Sequence, residues 1–425
     1  MGDIMILIKN GRVIDPESRR DEVTDILIDG EIIKKIGHNI SYANVNKIID
    51  ASGMIVSPGL IDVHVHFRDP GFTYKEDIIS GAKAAAKGGF TTVVCMANTN
   101  PVADKDDIIQ YIINKGKKTP INVLATAAVT KELKGLELVD MENLKNSGAV
   151  GFTDDGFPIM NTAIALRAME TAKKINVPIS FHEEDPNLVY NSGINEGSIS
   201  ESLGLRGALK TAEDIMVARD CVLALKTKAR INIQHVSSKE SVEIIKYAKL
   251  NGADIYAEAT PHHFALTEKD VISYGTNAKM NPPLRTEEDR LAIINGLKEN
   301  IINIIATDHA PHSNEEKERE FTKAPSGVIG LETSLSVGII YLVKDNHLNI
   351  MELLEKMTIN PAKLYNLDSG RIKEGIKADL VIFKLDEKWV VDNFVSKSSN
   401  SPFFGHELIG KVKMTICSGN IIYND

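Results

Sequence analysis

The sequence predicts an α/β fold: a (β/α)8 barrel with a small β-sandwich domain built from both chain termini. Three observations predict it. Strand-like and helix-like segments alternate through the middle of the 425-residue chain. Hairpin patterns occupy its two ends instead. Histidines and aspartates recur where the middle strands end, the edge on which such barrels carry their chemistry.

At the N-terminal end, residues 5–15 read as a hairpin, with Ile6-Leu7-Ile8 and Val13-Ile14 on either side of Asn10-Gly11. Asn-Gly between apolar runs signals a tight turn, because both residues tolerate positive φ. Residues 26–33 repeat the pattern around Asp29-Gly30-Glu31. Near the other end, 380–383 and 413–416 are strand-like, and Ser418-Gly419-Asn420 leads into Ile421-Ile422-Tyr423. A small β domain of residues 1–57 and 366–425 collects these strands and leaves 58–365 for the barrel.

Barrel strands are predicted at 61–66, 91–97, 121–129, 149–154, 177–182, 230–236, 254–260 and 301–308. Helices at 77–87, 163–174, 213–225, 239–250 and 286–298 separate most of them. Many of these strands are rich in Val and Ile without clean alternation, as when both faces are buried. An open doubly wound sheet is the rival architecture. It favours a glycine-rich phosphate loop after an early strand, and no G-x-G-x-x-G or Walker pattern occurs.

Composition narrows the classes. Hydrophobic content of 43% and charged content of 25% are ordinary for a globular protein. A net charge of −9 argues against non-specific nucleic-acid binding. Cys95, Cys221 and Cys417 lie far apart and suit a reducing compartment. The first ten residues turn polar too soon for a signal peptide, and no apolar run is long enough to span a membrane. A cytoplasmic protein is the expectation.

The chemistry starts at Ile61-Asp62-Val63-His64-Val65-His66-Phe67-Arg68. Residues two apart on a strand share a face, so His64 and His66 present two imidazoles to one spot. Arg68, two further on, is within reach of an anion bound beside them. Later strands end in Asp154-Asp155-Gly156, Phe181-His182, Gln234-His235 and Thr307-Asp308-His309. Four imidazoles with two carboxylates exceed the usual four ligands of one zinc. They suit two metals about 3.5–4 Å apart with a bridging group. Imidazole and carboxylate favour zinc, with manganese, cobalt or iron as substitutes.

These residues carry a resemblance. Asp62–His66 with Phe67-Arg68-Asp69-Pro70-Gly71, Met96-Ala97-Asn98-Thr99-Asn100-Pro101, Phe152-Thr153-Asp154-Asp155-Gly156, Asn281-Pro282-Pro283-Leu284-Arg285 and Ala306-Thr307-Asp308-His309-Ala310-Pro311-His312 are similar to motifs of the amidohydrolase superfamily. Within it they resemble the bacterial-type dihydroorotases, over essentially the whole chain. The last motif, with Lys317 following, is the most specific. Asp69 stands where the family commonly has Glu, and Ala97 where it has Pro; neither position is a ligand.

The resemblance implies two zinc ions. His64 and His66 would hold the first with Asp308, His182 and His235 the second, and Asp155 would bridge. Asp155 is preferred to Asp154 because the family's ligand immediately precedes the glycine. Many relatives bridge with a carboxylated lysine, but no lysine occurs in 151–156; Lys131 is read as a solvated helix-start residue. Asp308 would be the general acid and base in the reversible cyclisation of N-carbamoyl-L-aspartate to L-dihydroorotate, a step of pyrimidine biosynthesis. Substrate contacts would come from His66 and from Arg68, Asn98 and His312 as a carboxylate clamp. Asn281 would contact the ring, and Ser326-Gly327 its amide edge. The adjacent pair His262-His263, read as strand residues pointing oppositely, stays outside the ligand set. The charged run 313–324 reads equally as a lid hinged at Gly327 or as a solvated helix. Alternatives are a dihydropyrimidinase, hydantoinase or allantoinase, or a non-catalytic scaffold for aspartate transcarbamoylase. The partners implied are a small-molecule substrate, a second copy in a homodimer, and association with that transcarbamoylase, with no nucleic acid and no membrane.

Overall fold

The computed structural model describes residues 5–425. The chain opens with β1 (Met5–Asp15), β2 (Arg20–Asp29), β3 (Ile32–Gly37), β4 (Lys47–Asp50) and β5 (Ile55–Pro58). The barrel strands follow: β6 (Leu60–Val65), β7 (Phe90–Cys95), β8 (Asn122–Ala127), β9 (Gly151–Thr153), β10 (Ile179–Phe181), β11 (Ile231–Ile233), β12 (Ile255–Ala259) and β13 (Ile304–Ile305). The chain ends with β14 (Leu380–Val390), β15 (Glu407–Cys417) and β16 (Asn420–Asn424).

Strands β6 to β13 pair in sequence order, all parallel. The sheet closes where Val65 bridges His309, with the His66 amide donating to the His309 carbonyl at 2.8 Å. Closure excludes the open doubly wound alternative. Each of the eight predicted strands is present, although several are shorter than expected. The eighth keeps only two residues in the ladder, because the Thr307 amide donates to the Asp62 carboxylate at 3.2 Å and Asp308 turns to φ 48°.

Helices cover the barrel where polar caps start them. Asp77 accepts from the Ile79 and Ser80 amides before Ile78–Lys87; Ser238 caps Lys239–Leu250, and Thr286 forms a capping box with Asp289 before Glu287–Lys298. Thr162–Ile175 and Thr211–Thr227 complete the predicted set.

Both termini build a second, mixed sheet of order β16-β15-β14-β5-β1-β2-β3, with β4 also on β1. Strand alternation divides its side chains between two cores. Leu380 and Ile382 join Ile6, Ile8 and Val56 in the sheet's own core, whereas Val381 and Phe383 join the barrel's. One expectation fails here. Residues 5–15 are a single strand, not a hairpin, and Asn10-Gly11 is a bulge. Two residues, Lys9 and Asn10, stand opposite Asp25 alone, with Asn10 at φ 61°. Asn10 is held there by its amide bond to Asp25 (3.0 Å) and its side-chain bond to Asp50 (3.0 Å). A Cβ on Gly11 would lie 2.6 Å from Val56 Cγ2. The predicted turns at Gly30-Glu31 and Ser418-Gly419 are present. Among the described residues no helix is long and apolar enough to cross a membrane.

Candidate metal centre and active site

Strand β6 sets the centre. Asp62, His64 and His66 share a face, and Asp62 accepts from the His64 amide (3.0 Å) and the Thr307 amide. β6 is thereby locked to the end of β13 at the level of Asp308. Asp155, just past β9, stands among four imidazoles. His64 Nε2 lies 3.4 Å and His66 Nε2 3.3 Å from its carboxylate oxygens; His182 Nδ1 lies 3.6 Å and His235 Nε2 3.7 Å away. Asp308 Oδ1 approaches His66 Nε2 to 3.1 Å and His64 Nε2 to 3.4 Å. All six residues are buried.

The outward-facing ring nitrogens decide what the inner ones can do. His64 Nδ1 donates to Glu258 at 3.0 Å, His66 Nδ1 to the side-chain Oδ1 of Asn98 at 2.9 Å, and His182 Nε2 to Glu184 at 3.2 Å. A neutral imidazole with one nitrogen donating presents a lone pair at the other. Three lone pairs therefore aim at the same carboxylate oxygens. Acceptors facing acceptors repel unless a cation lies among them. Consistent with this, His64 Nε2 and Asp155 Oδ1 are buried without a hydrogen-bond partner among the described residues. Two overlapping groups can each hold a metal ion, His64-His66-Asp155 and Asp155-His182-His235, with Asp155 common to both. The donor set fits metal binding.

The two carboxylates also make the centre attractive to a cation of any kind, a proton included. Burial opposes protonation of His64, but Asp155 and Asp308 outweigh it and hold the ring well above the usual imidazole range. Burial also opposes ionisation of Asp155 and Asp308, yet the surrounding imidazoles keep both carboxylates below their usual range. Asp154 is different. Burial lifts it to about 6, and it accepts from the Val129 amide (2.7 Å) and from both the amide and the hydroxyl of Thr130. It ties β9 to the loop after β8 and does not face the histidines. Of the two aspartates, Asp155 is the one that stands among the four imidazoles.

A cavity of about 190 Å³ opens on this cluster. Its lining includes His66, Arg68, Asn98, Asn281, Asp308, His312, Ser326 and Gly327, so the structure gathers every predicted substrate-contacting residue in one place. Arg68, at φ 59°, donates from Nε to the Pro311 carbonyl at 3.3 Å and sets Nη2 3.3 Å from His312 Nε2. Neither acid nearest it in sequence pairs with it: Asp69 pairs with Lys115 at 2.6 Å and Asp77 with Lys397 at 2.5 Å. Burial and the charges of Arg68, Lys75 and Lys317 push His312 down to about 2, so its ring is neutral. Gly327 has both peptide groups engaged, its amide on Lys279 O and its carbonyl with Lys317 and Asn400.

Other residues depart from expectation. His262 and His263 lie on the short helix Pro261–Ala265, not on a strand, because Thr260 caps a turn opened by Pro261. His263 is bonded to Thr260 and to the Pro282 carbonyl. Lys131 starts a short helix and pairs with exposed Glu137. In the run 313–324, Asn314–Lys317 is a capped helical turn tied down through Glu316, which meets Lys75 and the Tyr74 hydroxyl at 3.0 Å.

Three orienting residues were not expected: Glu258, Glu184, and Asn98 in its role toward the metal ligands. Asn98 also donates to Asp155 Oδ2 at 3.2 Å. Only Glu258 left a local trace, an acid inside the apolar segment Ile255–Ala259. Partners of this kind typically contribute about 10–100-fold to metal affinity. Glu258→Gln is expected to weaken metal retention by about that factor in a chelator titration, and undiminished retention would remove its orienting role.

With this geometry in place, comparison with known proteins is direct. The Amidohydrolase family profile matches residues 55–422. The chain belongs to the amidohydrolase family. Its curated relatives include the dihydroorotase of Clostridioides difficile (strain 630), 62% identical over 420 residues and spanning 99% of this chain and 100% of that one. Those of Clostridium acetobutylicum and Lactococcus lactis are 57% and 50% identical, each over nearly the full length of both chains. Similar solved structures include the L-hydantoinase (dihydropyrimidinase) of Arthrobacter aurescens, with TM-score 0.89, 24% identity, and coverage of 100% of this chain and 96% of that one. A D-hydantoinase from Thermus sp. has TM-score 0.84 at 26% identity, over 99% and 95% of the two chains. The former shows the fold alone.

Proposed function

We propose that the protein is a dihydroorotase that interconverts L-dihydroorotate and N-carbamoyl-L-aspartate in pyrimidine biosynthesis. One observation carries the reading. Arg68 lines the metal-side cavity and makes no ion pair among the described residues, its partners being a carbonyl and a neutral imidazole. A guanidinium so placed calls for an anion, and a planar carboxylate matches its fork. Dihydroorotate has that carboxylate; hydantoin and dihydrouracil do not. The naming of the sequence relatives supports the same choice.

His64, His66 and Asp308 would hold one metal, His182 and His235 a second, and Asp155 would bridge them; imidazole and carboxylate suit zinc. Such ions make water a competent nucleophile near neutral pH and polarise the scissile carbonyl. The protein's own groups do the rest. Arg68, with His312 and Asn98 beside it, orients the substrate carboxylate. Asn281 faces the ring. Asp308, ionised at neutral pH, takes the proton of the attacking water and delivers it to the departing ring nitrogen. In the biosynthetic direction it removes a proton from the carbamoyl nitrogen.

A side-by-side assay of dihydroorotate, dihydrouracil, hydantoin and allantoin tests the reading. Dihydroorotate should be turned over far faster than the others; preference for hydantoin or dihydrouracil sinks it in favour of the activity named for the structural neighbours. Arg68→Ala is expected to raise KM for dihydroorotate about 10- to 100-fold, the loss of a charge-assisted pair. An unaltered KM would remove the clamp. A homodimer in a reducing, cytoplasmic setting, free to associate with aspartate transcarbamoylase, completes the proposal. The three buried free cysteines support the compartment, and sedimentation with and without that partner tests the assembly.

A further inference from the structure

Two lysines are buried beside the cavity without an ion pair among the described residues. Lys279 is 4% and Lys317 5% exposed. Lys279 Nζ donates to the carbonyls of Phe321 (2.6 Å) and Ala324 (2.7 Å). Lys317 Nζ donates to those of Pro325 (3.0 Å) and Gly327 (3.0 Å). Four carbonyls within seven residues thus converge on two side chains. The segment they belong to has no helix or strand to shape it. Lys279 grips it a second time, since its own carbonyl accepts from the Gly327 amide at 2.9 Å.

The same segment forms part of the cavity wall. The Ser326 carbonyl lies 2.9 Å from His312 Nε2, and His312 in turn meets Arg68. Ser192 Oγ joins Asn281 (2.9 Å) to Ser326 Oγ (3.0 Å). Space around this knot is tight: a Cβ on Gly193 would lie 2.4 Å from Lys279 Cγ and 2.7 Å from Ser326 Oγ. A buried amine is costly to keep unless its donors are used. Here they are used on the loop.

We propose that Lys279 and Lys317 are positioning residues that hold 321–327 as a fixed wall of the substrate cavity, setting where Ser326, His312 and Arg68 meet the substrate. The claim rests on the function proposed above. It predicts an effect on substrate binding and not on proton transfer, because neither lysine touches Asp308. Lys279→Met and Lys317→Met keep the apolar stems and delete the donors. Each should speed hydrogen exchange of the 321–327 amides about a hundredfold while the barrel strands stay protected. Each should raise KM for dihydroorotate about tenfold or more, with kcat within about threefold and metal content unchanged. Unchanged exchange in a folded variant overturns the proposal, and so does a fall in kcat at constant KM. In the unaltered protein the segment should exchange slowly despite its lack of regular structure. Exchange there at the rate of a free loop overturns it even if neither variant folds. A protein that ignores dihydroorotate would refute the functional reading, while the exchange measurement would still judge the lysines.

Discussion

Asp155→Ala is expected to leave a folded barrel that retains little metal and turns over dihydroorotate at least about a thousandfold more slowly. Both metal-capable groups share this one side chain, so a single substitution takes a ligand from each. What remains is two pairs of imidazoles, only one of them with a carboxylate, Asp308, beside it. Little else depends on Asp155, because its side-chain contacts are the four histidines and Asn98. Metal quantification and turnover on one purified sample check this, with thermal melting to establish folding. Full metal content with ordinary turnover would refute the bridging role. Asp154→Ala provides the contrast. It strips the acceptor from two buried amides and a hydroxyl, a stability loss of about 1–3 kcal/mol, and should leave metal content near normal in whatever protein folds.

Asp308→Ala has the second large expected effect. Its carboxylate lines the cavity and approaches both His64 and His66, at the point where a proton must pass between water and the ring nitrogen. General acid–base catalysis contributes about 10²–10⁴-fold, so kcat should fall by at least that much. Metal should remain in at least the His182-His235-Asp155 group, which does not include Asp308. The two aspartate variants are thus separable: one is inactive because it lacks metal, the other is inactive with metal bound. A kcat within about tenfold of the unaltered enzyme would eliminate Asp308 as the proton carrier.

That the six proposed ligands, four histidines and two aspartates, come together at one end of the barrel was legible in the sequence for a physical reason. Barrel strands are buried runs with clear apolar signatures, and imidazoles or carboxylates at their ends stand out against Val and Ile. The residues that orient those ligands were not legible. Glu258 on β12 reaches His64 only because the sheet closes on itself, Asn98 reaches His66 across the β6–β7 pairing, and no local pattern encodes either contact. Asn10-Gly11 misleads for another reason. A tight turn and a bulge both ask for positive φ, and what separates them is whether the partner strand continues past the site, as β2 does. His262 and His263 mislead similarly, since the strand stops at Ala259 and Thr260-Pro261 start a helical turn that carries both histidines. The eighth strand is shorter than predicted because the Asp62 carboxylate replaces its ladder partner.

Strand β5 has β1 on one flank and β14 on the other, and only Gly59 separates it from the strand bearing His64. During translation β5 leaves the ribosome early, and β14 follows only after nearly all of the barrel has been made. For that interval one edge of β5 is an open template for foreign strands, a known route to misassembly. A message cut short before β14 would therefore yield an aggregation hazard and not a smaller working enzyme, and quality control of the nascent chain should matter more here than for a protein whose sheets finish locally.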